Sequence, residues 1–287
     1  MKYTLLSAAA ALLTIPAAQA ALIASWSQNE LSGNLIDETG NHPAGVLAST
    51  GSVNYAQPGV PNGTYGAITL STAGGTSIGY GPNASDDYFI VGGDNNNPVM
   101  NIPRTGAFTV MAWINPNAPD IGRTYRPIST GSSTGADRGW GFGLRLNDTA
   151  GTSAAIRFTT YGIADNDSSL FSVTFGQWVH VAATYNNGAI DYYLNGNLLG
   201  GSDVSLFGDE GVNSRLTIGG RLGNLVGGTG GNDGDQVNGF LDGVRVYDTV
   251  LSAADIQNAA IASAVPEPTV TASLAGLLAG LMLRRRR

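Results

Sequence analysis

The chain has 287 residues and no cysteine, which excludes disulfides, thiolate catalysis and thiolate metal sites. It carries 21 acidic side chains against 14 lysines and arginines, and Lys2 is the only lysine. Four arginines close the chain, so the remainder is more acidic than the net charge of −7 indicates, and we expect no nucleic-acid partner.

The first 20 residues have the pattern of a secretory signal peptide. Lys2 precedes an apolar run that extends through Ile15, and the small-residue site Ala18-Gln19-Ala20 follows it. Cleavage by a signal peptidase before Ala21 would leave residues 21–264 as an exported body.

The body is rich in short strand patterns, and its length suits one large β domain. Gly, Asn, Asp and Pro clusters separate runs of β-branched and aromatic residues, which include LIASWS, YGAITL, AFTVMAWIN, GWGFGLRL, AAIRFTT, WVHVAATY, AIDYYLN, LTIGG and FLDGVRVY. Asn187-Gly188 and Asn195-Gly196 supply the positive φ values of hairpin turns and predict a three-strand meander. The pattern predicts an all-β, two-sheet antiparallel sandwich.

One helix is predicted after the last strand, in LSAADIQNAAIA. Ser252 stands at the N-cap and Asp255 follows three residues later, close to a capping box. We expect this helix to close one end of the sandwich.

The C-terminal segment, residues 265–287, has the pattern of a sorting signal. Pro266, Glu267 and Pro268 precede fifteen mostly apolar residues, 269–283, and four arginines end the chain. Fifteen helical residues reach only about 22 Å, so this transmembrane segment is short for a bilayer core of about 30 Å. Basic flanks stay cytoplasmic, so the body is expected to lie outside the inner membrane.

This combination resembles the PEP-CTERM sorting signal of bacteria. The resemblance implies recognition and processing by an exosortase-type enzyme at the envelope. It further implies a location at the cell surface or in the extracellular matrix.

The body has a second resemblance, carried by AFTVMAWINP, WVHVAATYNNGAIDYYLNGNLL, LTIGGR and GFLDGVRVYDTVLSAADI, in that order. These blocks resemble the laminin G-like, concanavalin A-type jelly roll domains of bacterial secreted proteins. The resemblance implies a jelly roll that binds carbohydrate or another surface polymer, although residues 124–175 match weakly.

The carboxylates argue against a glycosidase. Sandwich glycosidases of this type place two glutamates on one strand, whereas the glutamates here are Glu30, Glu38, Glu210 and Glu267. We therefore expect a module without catalytic residues. The alternatives are a glycan-active hydrolase or lyase with an atypical site and a purely structural matrix protein.

Other reactive residue types are better explained by structure. Ser133 in GSSTG is followed by a strand pattern instead of the helix that a nucleophile elbow requires. His180 is expected to pack within its strand, and its distance from His42 along the chain gives no zinc pattern.

Candidate ligand-binding residues are the aromatic side chains of the weakly matching middle, namely Tyr125, Trp140 and Tyr161. Aromatic faces are common platforms for sugar rings. Trp140 begins the strand GWGFGLRL, so a core position is its alternative.

A structural calcium ion is implied by the jelly roll resemblance, in which a cation ties the first strand to the last. The resemblance points to Asp242, with Asp37, Asn41 and Asn29 as oxygen donors from the opening segment. An Asx-turn role for Asp37 and a hydrogen-bonded Asp242 are the alternatives. Asp233 and Asp235, in the Gly-rich stretch before the last strand, are weaker candidate cation contacts, and a flexible loop is the preferred interpretation of that stretch.

Overall fold

The computed structural model describes residues 20–47, 53–71, 75–80, 88–91, 106–117, 124–130, 139–203, 216–221 and 235–264. Residues 1–19 of the predicted signal peptide, Ser133 and the predicted sorting segment, residues 265–287, lie outside the described part of the chain. The elements are β1 Leu22–Trp26, β2 Gly45–Leu47, β3 Val53–Pro58, β4 Gly63–Tyr65, β5 Ile68–Leu70, β6 Thr76–Tyr80, β7 Phe89–Val91, β8 Ala107–Pro116, β9 Thr124–Thr130, β10 Trp140–Leu146, β11 Ala154–Thr160, β12 Ala164–Asp167, β13 Val179–Asn186, β14 Ala189–Leu194, β15 Asn197–Asp203, β16 Leu216–Ile218, β17 Gly239–Tyr247 and α1 Ala253–Ala264.

Two antiparallel sheets contain every described strand except β4 and β5, which form a separate hairpin. Sheet A has the order β15-β14-β13-β8-β17-β6-β3, and β1 pairs with the second half of β17. Sheet B has the order β12-β11-β10-β9-β16-β7-β2. This arrangement confirms the predicted jelly roll sandwich, and the first and last strands lie side by side as expected.

The predicted meander is formed by β13, β14 and β15. Asn187 and Gly188 have φ values of 51° and 102°, and Asn195 and Gly196 have values of 49° and 76°. Both turns therefore use the left-handed conformation that Asn and Gly tolerate best.

The main core lies between the two sheets and follows the two-residue period of a strand. In β8, Val110 and Ile114 belong to this core, whereas Met111 and Trp113 belong to smaller clusters on the opposite face of sheet A. Each sheet therefore has an inner face in the main core and an outer face directed away from it.

The outer face of sheet A is covered by α1 and the β4–β5 hairpin. The indole nitrogen of Trp113 donates to the carbonyl of Ala260 at 3.1 Å, and Arg245 donates to the carbonyl of Ala262 at 3.1 Å. The expectation that the helix closes one end of the sandwich is therefore wrong, because its small apolar side chains pack flat on the sheet.

The helix begins as its sequence predicts. The hydroxyl of Ser252 accepts a hydrogen bond from the backbone N–H of Asp255 at 3.2 Å and donates to the Asp255 carboxylate at 2.6 Å. Among the described residues, no helix is both long and apolar enough to cross a bilayer. The predicted transmembrane segment, 269–283, falls outside them.

His180 is packed beneath this layer, as expected. Its ring is fully buried and meets Trp113 edge to face, with the ring centroids 5.1 Å apart. Burial lowers the pKa of His180 to about 3, so the ring is neutral at physiological pH.

Candidate functional site

A polar cavity of about 490 Å³ lies on the outer face of sheet B. Ile156 and Phe158 of β11 belong to the main core, so the alternate residues Arg157 and Thr159 point to the opposite face. The lining residues are Thr124, Arg126, Arg157, Thr159, Thr160, Tyr161, Gly162, Ile163, Ala164, Asp165, Arg221 and Asp235.

The floor of the site depends on two glycines in β10. A Cβ atom on Gly141 would overlap the hydroxyl of Tyr161 and would lie 2.6 Å from Nη1 of Arg126. The side chains of Arg126 in β9 and of Tyr161, in the turn after β11, therefore occupy the space above Gly141, which has no side chain of its own.

A β-bulge in β9 aligns with the second glycine. Phe142 pairs with Ile128 and Leu144 pairs with Tyr125, so two residues of β9 stand opposite the single residue Gly143. A Cβ atom on Gly143 would overlap the backbone oxygen of Tyr125. The bulge therefore requires glycine at this position.

Arg126 crosses from β9 to β11 over this floor and is almost completely buried. Its Nε donates to Oδ2 of Asp235 at 2.9 Å, and its Nη2 donates to the hydroxyl of Thr159 at 3.0 Å. Its Nη1 is buried and has no hydrogen-bond partner within the described part of the chain. The guanidinium is thus held in place with one donor group unused.

Asp235 is the counter-ion of this guanidinium. Burial raises the pKa of its carboxyl, but the charges of Arg126 and Arg221 outweigh this effect and lower the pKa below its ordinary value. The backbone N–H of Thr124 also donates to Oδ1, at 3.4 Å. Asp235 is therefore ionised at neutral pH.

Tyr161 contacts two guanidinium groups. The central carbon of Arg126 is 5.4 Å from the centre of the ring, and that of Arg221 is 5.7 Å from it. The hydroxyl of Tyr161 is 2.7 Å from that of Ser129. These contacts hold the ring in the lining of the site, where Tyr161 is only 2% exposed.

An ion-pair network forms the opposite wall. Arg157 donates to Asp165 at 2.7 Å and to Asp167 at 2.6 Å, and Thr159 donates to Asp165 at 2.7 Å. The Asp165 side chain remains about half exposed. The cavity therefore presents fixed donors and acceptors side by side, an arrangement suited to a ligand rich in hydroxyl groups.

Only one of the three predicted ligand-binding aromatics lines the cavity, and it is Tyr161. Tyr125 and Trp140 are fully buried in the main core. Tyr161 is also buried, at 2% exposed. A buried ring cannot stack on an external sugar, so the expectation of exposed aromatic platforms is wrong at all three positions. The bulge after Tyr125 explains why Arg126, its neighbour, faces the cavity.

Several lining residues were missed by the sequence analysis, including Arg126, Arg157 and Asp165. The signal that could have found Arg157 is the alternation in AAIRFTT, which puts Arg157 and Thr159 on the face opposite to Ile156 and Phe158. Asp235 was identified as a weak cation contact, and its cation in the structure is a guanidinium.

Asp37, one of the predicted calcium ligands, organises the turn after β1. Its carboxylate accepts hydrogen bonds from the backbone N–H groups of Ser25, Thr39 and His42, and from the hydroxyl of Thr39. The His42 ring lies 2.8 Å from it. This is the Asx-turn role that was its alternative.

The other three predicted calcium ligands have separate environments. Oδ1 of Asn29 accepts from the backbone of Thr76 at 2.8 Å, and the amide of Asn41 donates to the carbonyl of Ile23 at 3.0 Å. Burial raises the pKa of Asp242 well above its ordinary value, although backbone N–H groups donate to it, and its Oδ2 has no hydrogen-bond partner in the described ranges.

These four residues do not fit a shared calcium site in this arrangement, because hydrogen-bond donors already occupy the oxygens of Asp37. No group of three or more His, Asp or Glu side chains in the described ranges is arranged to hold a metal ion. Calcium binding stays a prediction.

Comparisons with known proteins agree with this fold. A family model described as the concanavalin A-like lectin/glucanases superfamily matches residues 83–257. A curated relative, Adhesion G-protein coupled receptor V1 of Danio rerio, is 29% identical over 155 residues. That match covers 52% of this chain but only 2% of the receptor.

Solved structures share the architecture at low identity. Domain 4 of AbnA, a GH43 extracellular arabinanase from Geobacillus stearothermophilus in complex with arabinotriose, is 18% identical with a TM-score of 0.52. The alignment covers 84% of this chain and 98% of that domain. The binding domain of botulinum neurotoxin DC, in complex with rat synaptotagmin II, is also 18% identical, with a TM-score of 0.52 over 83% of this chain and 50% of the toxin domain.

We predict that Gly143→Ala lowers the free energy of unfolding by about 2 to 3 kcal/mol, because the added methyl group overlaps rigid backbone at the bulge. Gly79→Ala is the matched control, since its nearest neighbour is the Phe240 side chain at 3.1 Å, which can shift. Urea denaturation of the full chain measures both. Equal losses in the two variants would contradict the close approach of β9 and β10.

We predict that Asp37→Asn lowers the free energy of unfolding by an amount that depends on pH. Burial opposes ionisation of Asp37, but hydrogen bonds from His42, Ser25 and Thr39 lower its pKa from 3.8 to about 2. A carboxyl with a depressed folded-state pKa stabilises the protein above its unfolded pKa, and this stabilisation disappears as the pH falls through the folded value.

The variant should therefore be less stable than the wild type by roughly 2 kcal/mol at pH 7. The difference should shrink between pH 4 and pH 2. Denaturation curves at several pH values measure it, and a difference that does not change with pH would rule out the ionised Asp37 as its source.

Proposed function

Because the chain belongs to the concanavalin A-like lectin/glucanases superfamily, we propose that it is a non-catalytic module that binds carbohydrate in the cavity on the outer face of sheet B. The observation that carries this proposal is the set of fixed polar groups around that cavity. Each charged group is positioned by a partner, so little side-chain entropy is lost when a ligand binds.

The chemistry of the lining fits a sugar. Sugar hydroxyls both donate and accept hydrogen bonds, and the cavity offers the donor groups of Arg126 and Arg157 beside the acceptor oxygens of Asp165. Ile163, which is 39% exposed, adds an apolar contact at the lining. A volume of about 490 Å³ accommodates one or two sugar rings.

The carboxylates of the lining support binding over hydrolysis. A glycosidase requires a protonated carboxylic acid and a second carboxylate beside the scissile bond. Asp165 and Asp235 are each paired with an arginine, and the pKa of Asp235 is lowered. An ionised Asp235 has no proton to donate to a leaving group at neutral pH.

A solved structure with a similar fold and a bound arabinotriose supports the same proposal. Nearly the whole length of domain 4 of AbnA aligns with this chain, and that structure contains a bound oligosaccharide. At 18% identity the likeness extends to the fold, so the sugar bound by that domain does not identify the ligand of this chain.

We further propose that the protein acts outside the inner membrane, at the cell surface or in the extracellular matrix. This part rests on the sequence: the signal-peptide pattern of residues 1–20 and the Pro266-Glu267-Pro268 tail. Signal peptidase and an exosortase-type enzyme would be its processing partners. A glycan-binding module suits a surface or matrix polymer as its ligand.

We predict that Asp165→Ala weakens glycan binding at least tenfold, because it removes acceptor oxygens from the cavity wall. Folding should change by less than about 1 kcal/mol, since partly exposed ion pairs contribute little. Asp191→Ala, an exposed aspartate on β14 of sheet A, is the matched control. Binding is measured on a glycan array and then by titration calorimetry with the strongest ligand.

Three results would contradict the proposal. Absence of signal on the array would reject glycan binding. Equal affinity of Asp165→Ala and the wild type would place the site elsewhere. Release of reducing ends from the bound glycan would identify a hydrolase instead.

A further inference from the structure

Basic side chains are concentrated on one face of an acidic protein. The described residues contain five arginines, and four of them, Arg126, Arg145, Arg157 and Arg221, belong to the outer face of sheet B or the wall of its cavity. The fifth, Arg245, lies beneath α1. In a chain with a net charge of −7, we expect a negatively charged ligand to meet less repulsion at this face than elsewhere on the described surface.

The charges of the cavity wall do not cancel within the described residues. Three arginines line the cavity, namely Arg126, Arg157 and Arg221, whereas the acidic lining residues are Asp165 and Asp235. Asp167, which also contacts Arg157, is paired with Arg145 outside the cavity at 2.9 Å. The lining therefore carries one positive charge in excess.

The excess positive charge is located at Arg126 and Arg221, because these two guanidinium groups share one carboxylate oxygen of Asp235. Nε of Arg126 is 2.9 Å from Oδ2 of Asp235, and Nε of Arg221 is 3.5 Å from the same atom. A carboxylate can pair with a guanidinium through both of its oxygens. Asp235 instead divides one oxygen between two cations, so Arg221 is only partly neutralised.

Arg126 also has an unused donor at this place. Its Nη1 is buried without a partner in the described ranges, beside the hydroxyl of Tyr161. Leaving a buried donor unpaired carries a free-energy cost. A ligand oxygen that reaches this nitrogen would recover that cost, and a charged oxygen would recover most.

We propose that the cavity binds an acidic sugar, whose carboxylate is received between Arg126 and Arg221 while its hydroxyl groups contact Asp165 and Thr159. This inference rests on the proposed carbohydrate-binding function and names the class of sugar. The carboxylate supplies the missing negative charge, and the ring hydroxyls donate to the remaining lone pairs of the half-exposed Asp165 carboxylate, which an anion alone could not use.

The test uses matched pairs of sugars. Galacturonate, glucuronate, mannuronate and sialate oligosaccharides are printed on an array, each beside its carboxyl-reduced form, together with neutral glycans. Reduction changes only the carboxylate into a primary alcohol. The full chain should bind at least one acidic form ten times more tightly than its reduced partner, and the difference should diminish as salt is raised.

Variants locate the carboxylate. Arg221→Gln should weaken binding of the acidic form about tenfold, whereas Arg145→Gln, which removes the same charge on the same face outside the cavity, should change it less than twofold. The double variant Arg126→Gln with Asp235→Asn removes both buried charges together. It should lose the preference for the acidic form, and a thermal melt shows whether it is folded.

The outcomes separate this inference from the proposed function. Equal binding of acidic and reduced forms, or binding of neutral glycans alone, overturns the acidic-sugar inference and leaves carbohydrate binding intact. Binding to no glycan overturns both. Equal losses in Arg221→Gln and Arg145→Gln would show long-range attraction to the face instead of a carboxylate site in the cavity.

Discussion

The ion pair between Arg126 and Asp235 is the interaction on which the outer face of sheet B depends. A buried guanidinium is costly unless its charge and donors are satisfied. Asp235 supplies the charge and Thr159 accepts a second donor, while glycines in β10 provide the space in which the side chain lies. Without Arg126, the buried counter-ion, the accepting hydroxyl and the glycine beneath the side chain would have no partner to accommodate. We therefore treat these residues as one interdependent group.

The two outer faces of the sandwich have different roles. Sheet A is covered by α1 and the β4–β5 hairpin, which bury Trp113 and neutral His180. This third layer adds apolar burial to a chain that has no disulfides. Sheet B carries its polar groups on the opposite surface, where fixed ion pairs shape a cavity. The proposed ligand recognition and the additional apolar burial thus belong to separate faces, so we expect a change in one face to leave the other intact.

The sequence predicted the fold better than the site, for reasons visible in individual residues. Asn187 and Asn195 marked their turns because positive φ is a local property, and Ser252 marked its helix for a similar reason. Arg126 and Asp235 are 109 positions apart, and no local pattern indicates that they meet. Tyr125 and Tyr161 looked alike as aromatic platforms, but the bulge at Arg126 sends one into the core.

The central claim is that ligand binding takes place on the outer face of sheet B. Hydrogen–deuterium exchange of the full chain, with and without a bound oligosaccharide, tests it most directly. The account predicts slower exchange in the turn of residues 161–164 and in the neighbouring parts of β9 and β12, with no change in α1 or β4–β5. Protection confined to α1, to the β4–β5 hairpin or to the turn around Asp37 would contradict it.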